Sequence, residues 1–467
     1  MHDPEGQPSA AATPGQLLKI LGLGFGLAGA IGATIGAGIL RTPGIVATHL
    51  PNPLWLLGAW LLGGVFALMG ALCVAELSTQ LPRAGGWCVF AGEAFGRQAG
   101  WLVGWTDWLA HCIGLAWEAT TIGEYAAELI PGQPLTPWLT ARLVALFSLA
   151  VFLAIQLLGL RAASASQDVL SLTKALVFLG LVIACFALPL PAAAGGGASA
   201  AAAWPTGLRW HGGETDWASL LWPAVLALQA VITTYDGWVS PVYFAEEFSD
   251  PGRDLPRSLI GGVLLVVVLY LLINAALLHV LPLEELAGSP LPAAEAAQRL
   301  VGPIGRRLIT AVALVALLGL INTVVMAAAR ILYGLSRDGL FPAWGGRVSA
   351  AGAPTSALLL TGAVAALLVL GGSFERLLGL GAVLYASLPL TGVAAMVRLR
   401  LRPTEAPPQV WRAWAYPLPP LLVMAVSLAF LGGELLTRPQ DCLLAIALVA
   451  SGLPFLWQRR TASAAKS

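Results

Sequence analysis

The chain has 467 residues, of which 58% are hydrophobic and only 10% charged, with a formal net charge of +1 and a mean hydropathy of +0.80. Soluble domains carry about a quarter charged residues, so lipid is the solvent for most of this chain, and a balance so near zero gives no reason to expect a nucleic-acid partner. The five cysteines, Cys73, Cys88, Cys112, Cys185 and Cys442, have no metal-ligand spacing and read as small buried hydrophobes rather than a disulfide framework.

A helical span needs about 20 apolar residues. On that criterion the sequence predicts an all-α integral membrane protein with about twelve transmembrane helices, at 16–49 (broken), 54–79, 97–130, 137–159, 168–190, 217–247 (broken), 257–281, 303–335, 354–371, 376–398, 415–436 and 439–458. The start from Met1 to Gln16 is mixed and polar and runs into a spanning pattern, so no cleavable signal peptide is expected. Basic residues sort to one side: Arg83, Arg97, Arg161, Arg253, Arg257, Arg337, Arg347, Arg398 through Arg412, Arg459 and Arg460 would face the cytoplasm. About half as many, including Arg41, Arg142, Arg299 and Arg438, would face the other way, which places both termini inside.

The first segment contains a run of small residues, Gly32-Ala33-Thr34-Ile35-Gly36-Ala37-Gly38, and the sixth is interrupted at Tyr235-Asp236-Gly237-Trp238. Unwound backbone at membrane depth is tolerated only where protein or a cavity satisfies its N–H and C=O groups. A packing face of small residues is the plainer reading of the first run, but its density and the matching break five segments later point to the substrate site of a secondary transporter. Five spans that begin inside end outside, so a second set of five must enter inverted. This counting divides the chain into a tail at 1–15, a first repeat at 16–190, an extracellular loop at 191–216, a second repeat at 217–398, two additional helices at 399–458 and a tail at 459–467.

Lys174 lies inside the fifth segment, either snorkelling to the interface or serving function, since ionisable groups within spans are costly. The third segment places Asp107, His111, Glu118 and Tyr125 along one helical stripe at spacings of four, seven and seven. That stripe reads as a wet interior face or as a proton relay. Glu76 is expected to hydrogen-bond near the end of the second span, and Asn322 to be satisfied by a neighbouring helix.

At these residues a resemblance emerges. Ile31 through Pro43, Ala75-Glu76-Leu77 with Pro82-Arg83-Ala84-Gly85-Gly86, Tyr235-Asp236-Gly237-Trp238 with Glu246-Glu247 and Asp250-Pro251, Ser336-Arg337-Asp338-Gly339, and Arg412 with Tyr416-Pro417 occur in the order found in the amino acid–polyamine–organocation superfamily. The match resembles most the L-type amino acid transporter branch and its bacterial exchanger relatives. It implies a LeuT-like 5+5 inverted repeat with broken helices 1 and 6, a permease of the cytoplasmic membrane working by alternating access, and no cofactor. Sodium-independent exchange and proton-coupled uptake both remain open. By this resemblance Lys174 stands where sodium-coupled members hold a cation. Animal members of the branch join a glycoprotein through a cysteine in the loop between spans three and four. Pro131-Gly132-Gln133-Pro134-Leu135-Thr136 has none, so no disulfide-linked heavy subunit is expected.

A zwitterion needs donors for its carboxylate and acceptors for its ammonium, and a broken helix exposes both. The amides of Ala37, Gly38 and Ile39 would take the carboxylate, with glycine at 36 and 38 permitting close approach. Carbonyls near Thr34 and Ile35, and those of Thr233, Thr234 and Asp236 beside Tyr235, would take the ammonium. Two positions depart from the family pattern: Ala37 replaces a frequent serine, and Thr233 an aromatic gate. The alternatives are a polyamine or organic amine transporter of the same fold, for which Asp236 would supply the anion, and a non-transporting amino acid sensor. An enzyme is not expected, because His-Glu-x-x-His, Gly-x-Ser-x-Gly and Walker motifs are all missing from the chain.

Overall fold

A computed structural model of the protein describes residues 16–36, 38–50, 52–129, 136–189, 217–289, 291–372, 374–402 and 410–455. The architecture is all-α. In chain order the helices are α1 Leu23–Thr34, α2 Gly38–His49, α3 Pro53–Gln80, α4 Trp87–Phe95, α5 Arg97–Leu129, α6 Pro137–Leu157, α7 Leu160–Ala187 and α8 Trp217–Tyr235. After a short 3-10 helix at Ser240–Glu247 come α9 Pro251–Val280, α10 Leu283–Gly288, α11 Pro292–Val301, α12 Pro303–Arg337, α13 Thr355–Gly371, α14 Phe374–Arg400, α15 Leu418–Thr437 and α16 Pro439–Ala450.

Among the described residues, seven helices are long and apolar enough to cross a membrane, namely α3, α6, α7, α9, α12, α14 and α15, or up to eight spans if the bent pair α1 and α2 counts as one. The expected count of about twelve is therefore corrected. The LeuT-like 5+5 inverted repeat with broken helices 1 and 6 and two additional C-terminal helices rested on that count and falls with it. The overcount has a physical origin. At 17 and 12 residues, α13 and α16 are shorter than the hydrocarbon thickness requires, while the 33 residues of α5 carry Asp107, His111, Glu118 and Glu124. α8 stops at Tyr235, and its last two turns hold Gln229, Thr233 and Thr234.

Local chemistry explains where several helices begin. Asn52 caps α3 by accepting the Trp55 N–H at 3.0 Å, and Pro53 follows at the first helical position, where a missing N–H leaves nothing unsatisfied. Asp250 and Pro251 repeat the device at α9, with the Arg253 N–H on the Asp250 carboxylate at 3.2 Å. α5 is the central rod, packed against α12, α6, α4, α14 and α13.

Buried polar groups stitch the rods together. Glu247 receives Arg330 through two hydrogen bonds of 2.8 and 2.9 Å, with both side chains out of solvent, and the Arg330 guanidinium lies over the Phe244 ring. Burying such a pair is acceptable only with this two-pronged geometry. Next to it, Glu246 binds Arg337 and the Ala84 N–H, and Arg83 reaches Asp338 at 2.6 Å. Leu21 forms a lone β-bridge with Phe248, donating to the Glu247 carbonyl and accepting from the Ser249 N–H, each at 2.9 Å. Elsewhere Glu76 pairs with Arg400 and accepts the Ala413 N–H. Asn322 is held between Gln156 and Gln167 at 2.8 and 2.9 Å, so both polar residues are satisfied by neighbouring helices.

Candidate functional site

Two interruptions of the helical backbone meet. α1 ends at Thr34, α2 starts at Gly38, and their axes differ by 48°. α8 ends at Tyr235, followed by a turn through Asp236 and Gly237 into the 3-10 helix. Gly237 has a φ of +107°, which side-chain-bearing residues rarely adopt, and a Cβ there would lie 2.4 Å from the Ala33 carbonyl oxygen. Glycine thus lets the second break press directly against the first.

The carbonyls freed at the α1 break already have donors. Lys174, on α7, is buried, and its Nζ donates to the Gly32 carbonyl at 2.7 Å and the Ile35 carbonyl at 3.0 Å. It does not snorkel outward. Gly319 of α12 makes room for it, since a Cβ there would stand 2.4 Å from Lys174 Cε. Tyr270 of α9 sends its hydroxyl between the breaks, 2.8 Å from the Thr34 carbonyl and 3.2 Å from that of Thr234. One hydroxyl proton is shared by two acceptors, tying the ends of α1 and α8 together.

α2 is fastened to α8 through Thr42, whose hydroxyl meets that of Thr234 at 2.7 Å. The first amides of α2, those of Gly38 and Ile39, have no acceptor within their own helix and carry the positive end of its dipole. Ile39 is fully buried, while Gly38 lies against the Thr234 methyl group and keeps some accessible surface. Ala37 lies outside the described residues.

Of the residues expected at the site, Thr34, Ile35, Gly36, Ile39, Thr234 and Tyr235 are buried, whereas Thr233 and Asp236 are exposed. The Thr233 hydroxyl is turned back onto the Gln229 carbonyl at 2.9 Å. Asp236 Oδ1 accepts the Gly237 N–H at 2.9 Å. The charges of buried Asp107 and His111 on α5 act on Asp236.

The α5 stripe assembles in part. His111 Nδ1 lies 2.8 Å from the Asp107 carbonyl and 3.1 Å from its Oδ1, and the Tyr243 hydroxyl donates to the same Oδ1 at 3.1 Å. Glu118, four residues beyond Gly114, is buried with Oε2 unpartnered and feels Lys174 and Tyr385. Tyr125 is only partly buried, against the edge of the core. Sequence reading missed Tyr270, Gly319, Tyr385 and the Glu247–Arg330 pair. Tyr270 sits in an unbroken apolar run with nothing local to mark it, whereas Glu247 and Arg330 were visible as charges inside apolar segments.

All five cysteines are buried and free of disulfides. The loop at Pro131–Leu135 lies outside the described residues, so its lack of cysteine is known from sequence alone. Among the described residues no cluster of His, Cys, Asp and Glu suits a metal ion.

Comparison with known proteins identifies the family. The chain is similar to the serine/threonine exchanger SteT of Bacillus subtilis (strain 168), 26% identical over 461 residues, covering 96% of this chain and 98% of that protein. It is similar to the b(0,+)-type amino acid transporter 1 of Mus musculus, 26% identical over 446 residues, covering 94% and 87%. The branched-chain amino acid permease BcaP of Lactococcus lactis subsp. cremoris (strain MG1363) is 25% identical over 420 residues, with 86% of each chain covered. A family profile described as "Amino acid permease" matches residues 23–440, and the chain belongs to this family: it is a multi-pass membrane permease for amino acids, of the amino acid–polyamine–organocation superfamily, and a transporter rather than an enzyme.

Proposed function

We propose that the protein moves amino acids across the cytoplasmic membrane without sodium, by exchange or with protons, as a relative of the L-type branch with both termini in the cytoplasm. The carboxylate of the substrate docks on the Gly38 and Ile39 amides, which have no acceptor within α2 and carry the positive end of its dipole. The ammonium goes to the second break. Carbonyls at Thr34, Ile35 and Thr234 already accept from Tyr270 or Lys174, which leaves the accessible carboxylate of Asp236 as the strongest acceptor beside Thr233.

The observation that carries this reading is Lys174 Nζ on Gly32 and Ile35. An ammonium fixed on carbonyls at the α1 break, in the space Gly319 leaves, supplies the positive charge that a sodium ion would bring, and so removes the need for one. Whether Lys174 keeps its proton throughout the cycle separates exchange from proton-coupled uptake.

The test is counterflow of labelled L-serine, L-leucine and L-arginine into proteoliposomes, with sodium replaced by N-methyl-D-glucamine. Undiminished counterflow is expected, and dependence on sodium would refute the role given to Lys174. Asp236 alone would also suit an organic amine, so putrescine belongs in the same panel. Its transport in place of every amino acid would favour the amine reading, and binding without counterflow would identify a sensor.

A further inference from the structure

Glu434 is the only charged residue of α15, and the reading above does not use it. It keeps 6% of its surface accessible. Its Oε1 accepts the amide Nε2 of Gln229, from α8, at 3.1 Å, and its Oε2 is buried without a hydrogen-bond partner. Other buried carboxylates have a cation: Glu247 is held by Arg330 and Glu76 by Arg400. The opposed charges of Arg438 and Asp441 act on Glu434, but a Cβ at Gly379 of α14 would lie 3.3 Å from Arg438 Nη1 and 2.3 Å from Asp441 Oδ2, so both side chains are turned onto α14. Among the described residues no arginine, lysine or histidine forms an ion pair with Glu434. A carboxylate sealed from water without a counter-charge is costly, and an ionisable group inside a span marks function by default.

Gln229 joins this carboxylate to the second break. Gln229, Thr233 and Asp236 follow one another at spacings of four and three, which is one face of a helix. They are also linked by contact: the Gln229 carbonyl accepts the Thr233 hydroxyl at 2.9 Å, and the Thr233 carbonyl accepts the Asp236 N–H at 3.3 Å. Gln229 is half-buried, whereas Thr233 and Asp236 are exposed. An ionised carboxylate can only accept, so Gln229 turns its Nε2 toward Glu434 and leaves Oε1 as the unengaged end of its amide. The Thr233 proton lies on the Gln229 carbonyl, which leaves the hydroxyl oxygen as an acceptor. From Asp236 to Glu434 the stripe therefore presents acceptors, with a carboxylate at each end.

We propose that Glu434, with Gln229 before it, receives the cationic side chain of a bound arginine or lysine, so that the protein selects basic amino acids. This rests on the reading that Asp236 takes the α-ammonium. Gln229 and Asp236 are seven residues apart, about 10 Å at the rise of a helix. With a hydrogen bond of about 3 Å at each end, an extended lysine or arginine bridges that span, and serine or leucine does not. The guanidinium or ammonium brings the counter-charge that Glu434 lacks, and its N–H groups meet Glu434 Oε2 and Gln229 Oε1, both of which accept. A neutral side chain of equal length leaves the carboxylate unpaired.

Calorimetry on the full-length protein tests this by comparing L-arginine with L-citrulline, which keeps the length of arginine without its charge, and L-lysine with L-norleucine. Each basic member should bind at least about tenfold more tightly than its neutral counterpart, the usual effect of one charge-assisted hydrogen bond. Equal or tighter binding of the neutral members overturns the proposal, and that comparison needs no variant. Glu434→Gln keeps an acceptor for the Gln229 amide and removes the charge. In it the ratio of arginine to citrulline affinity should fall to within about twofold of one, and an unchanged ratio also overturns the proposal. If neither these amino acids nor L-serine and L-leucine bind, the transport reading itself fails, an outcome distinct from binding without preference for basic side chains.

Discussion

The two backbone breaks differ in what their polar groups have found. At the end of α1, Lys174 and Tyr270 satisfy the freed carbonyls, and every described residue of that end, from Gly32 to Gly36, is buried. At the end of α8, Thr233 and Asp236 keep accessible surface, and among the described residues the Asp236 carboxylate accepts only the neighbouring Gly237 N–H. The carbonyl end of the first break is closed by the protein, whereas the second keeps an accessible carboxylate. Removing a group from the first should therefore harm both stability and transport, whereas the second should tolerate substitution in stability and lose function.

The largest effect is expected for Lys174→Ala. Two buried carbonyls lose their donor, at about 1–3 kcal/mol each, so the thermal midpoint in detergent should fall and proteoliposome uptake should vanish. A variant with normal uptake would return Lys174 to a merely structural place. Asp236→Asn comes next and sharpens the contrast, with uptake reduced at least about tenfold while stability stays within about 0.5 kcal/mol, as for groups with few native contacts. A large drop in melting temperature there would show that the second break is closed too.

Tyr270→Phe removes the hydroxyl shared by the Thr34 and Thr234 carbonyls and should lower stability by about 1–2 kcal/mol, the range for interhelical hydrogen bonds in membranes. Uptake should fall more than that loss of folded protein explains, because the two breaks would no longer be held in register. The smallest effect belongs to Thr42→Val, which deletes one side-chain contact with Thr234 and should cost about 0.6 kcal/mol by thermal unfolding.

Much of this was legible along the chain. Glycine density from Gly32 to Gly38 and the Asp236-Gly237 pair announce interruptions, because a helix interior tolerates neither well. Lys174 and His111 stand out as ionisable groups in apolar runs. Counting spans failed for an equally local reason: α5 is long but polar along one face, and α13 and α16 are apolar but short. An apolar run does not record its own helical length, nor which of its residues face a neighbour.

Composition and the spacing of small and charged residues are enough to commit this chain to lipid, to helices and to two weak points in the backbone, since each is a property of a residue and its immediate neighbours. The partners of those weak points are another matter. Lys174 finds Gly32 across 142 positions and Tyr270 finds Thr34 across 236. Such pairings depend on how the rods cross and on where a missing Cβ, as at Gly237 and Gly319, lets them approach. Packing of the whole bundle, rather than any stretch of sequence, leaves Asp236 available and the carbonyls beside it engaged.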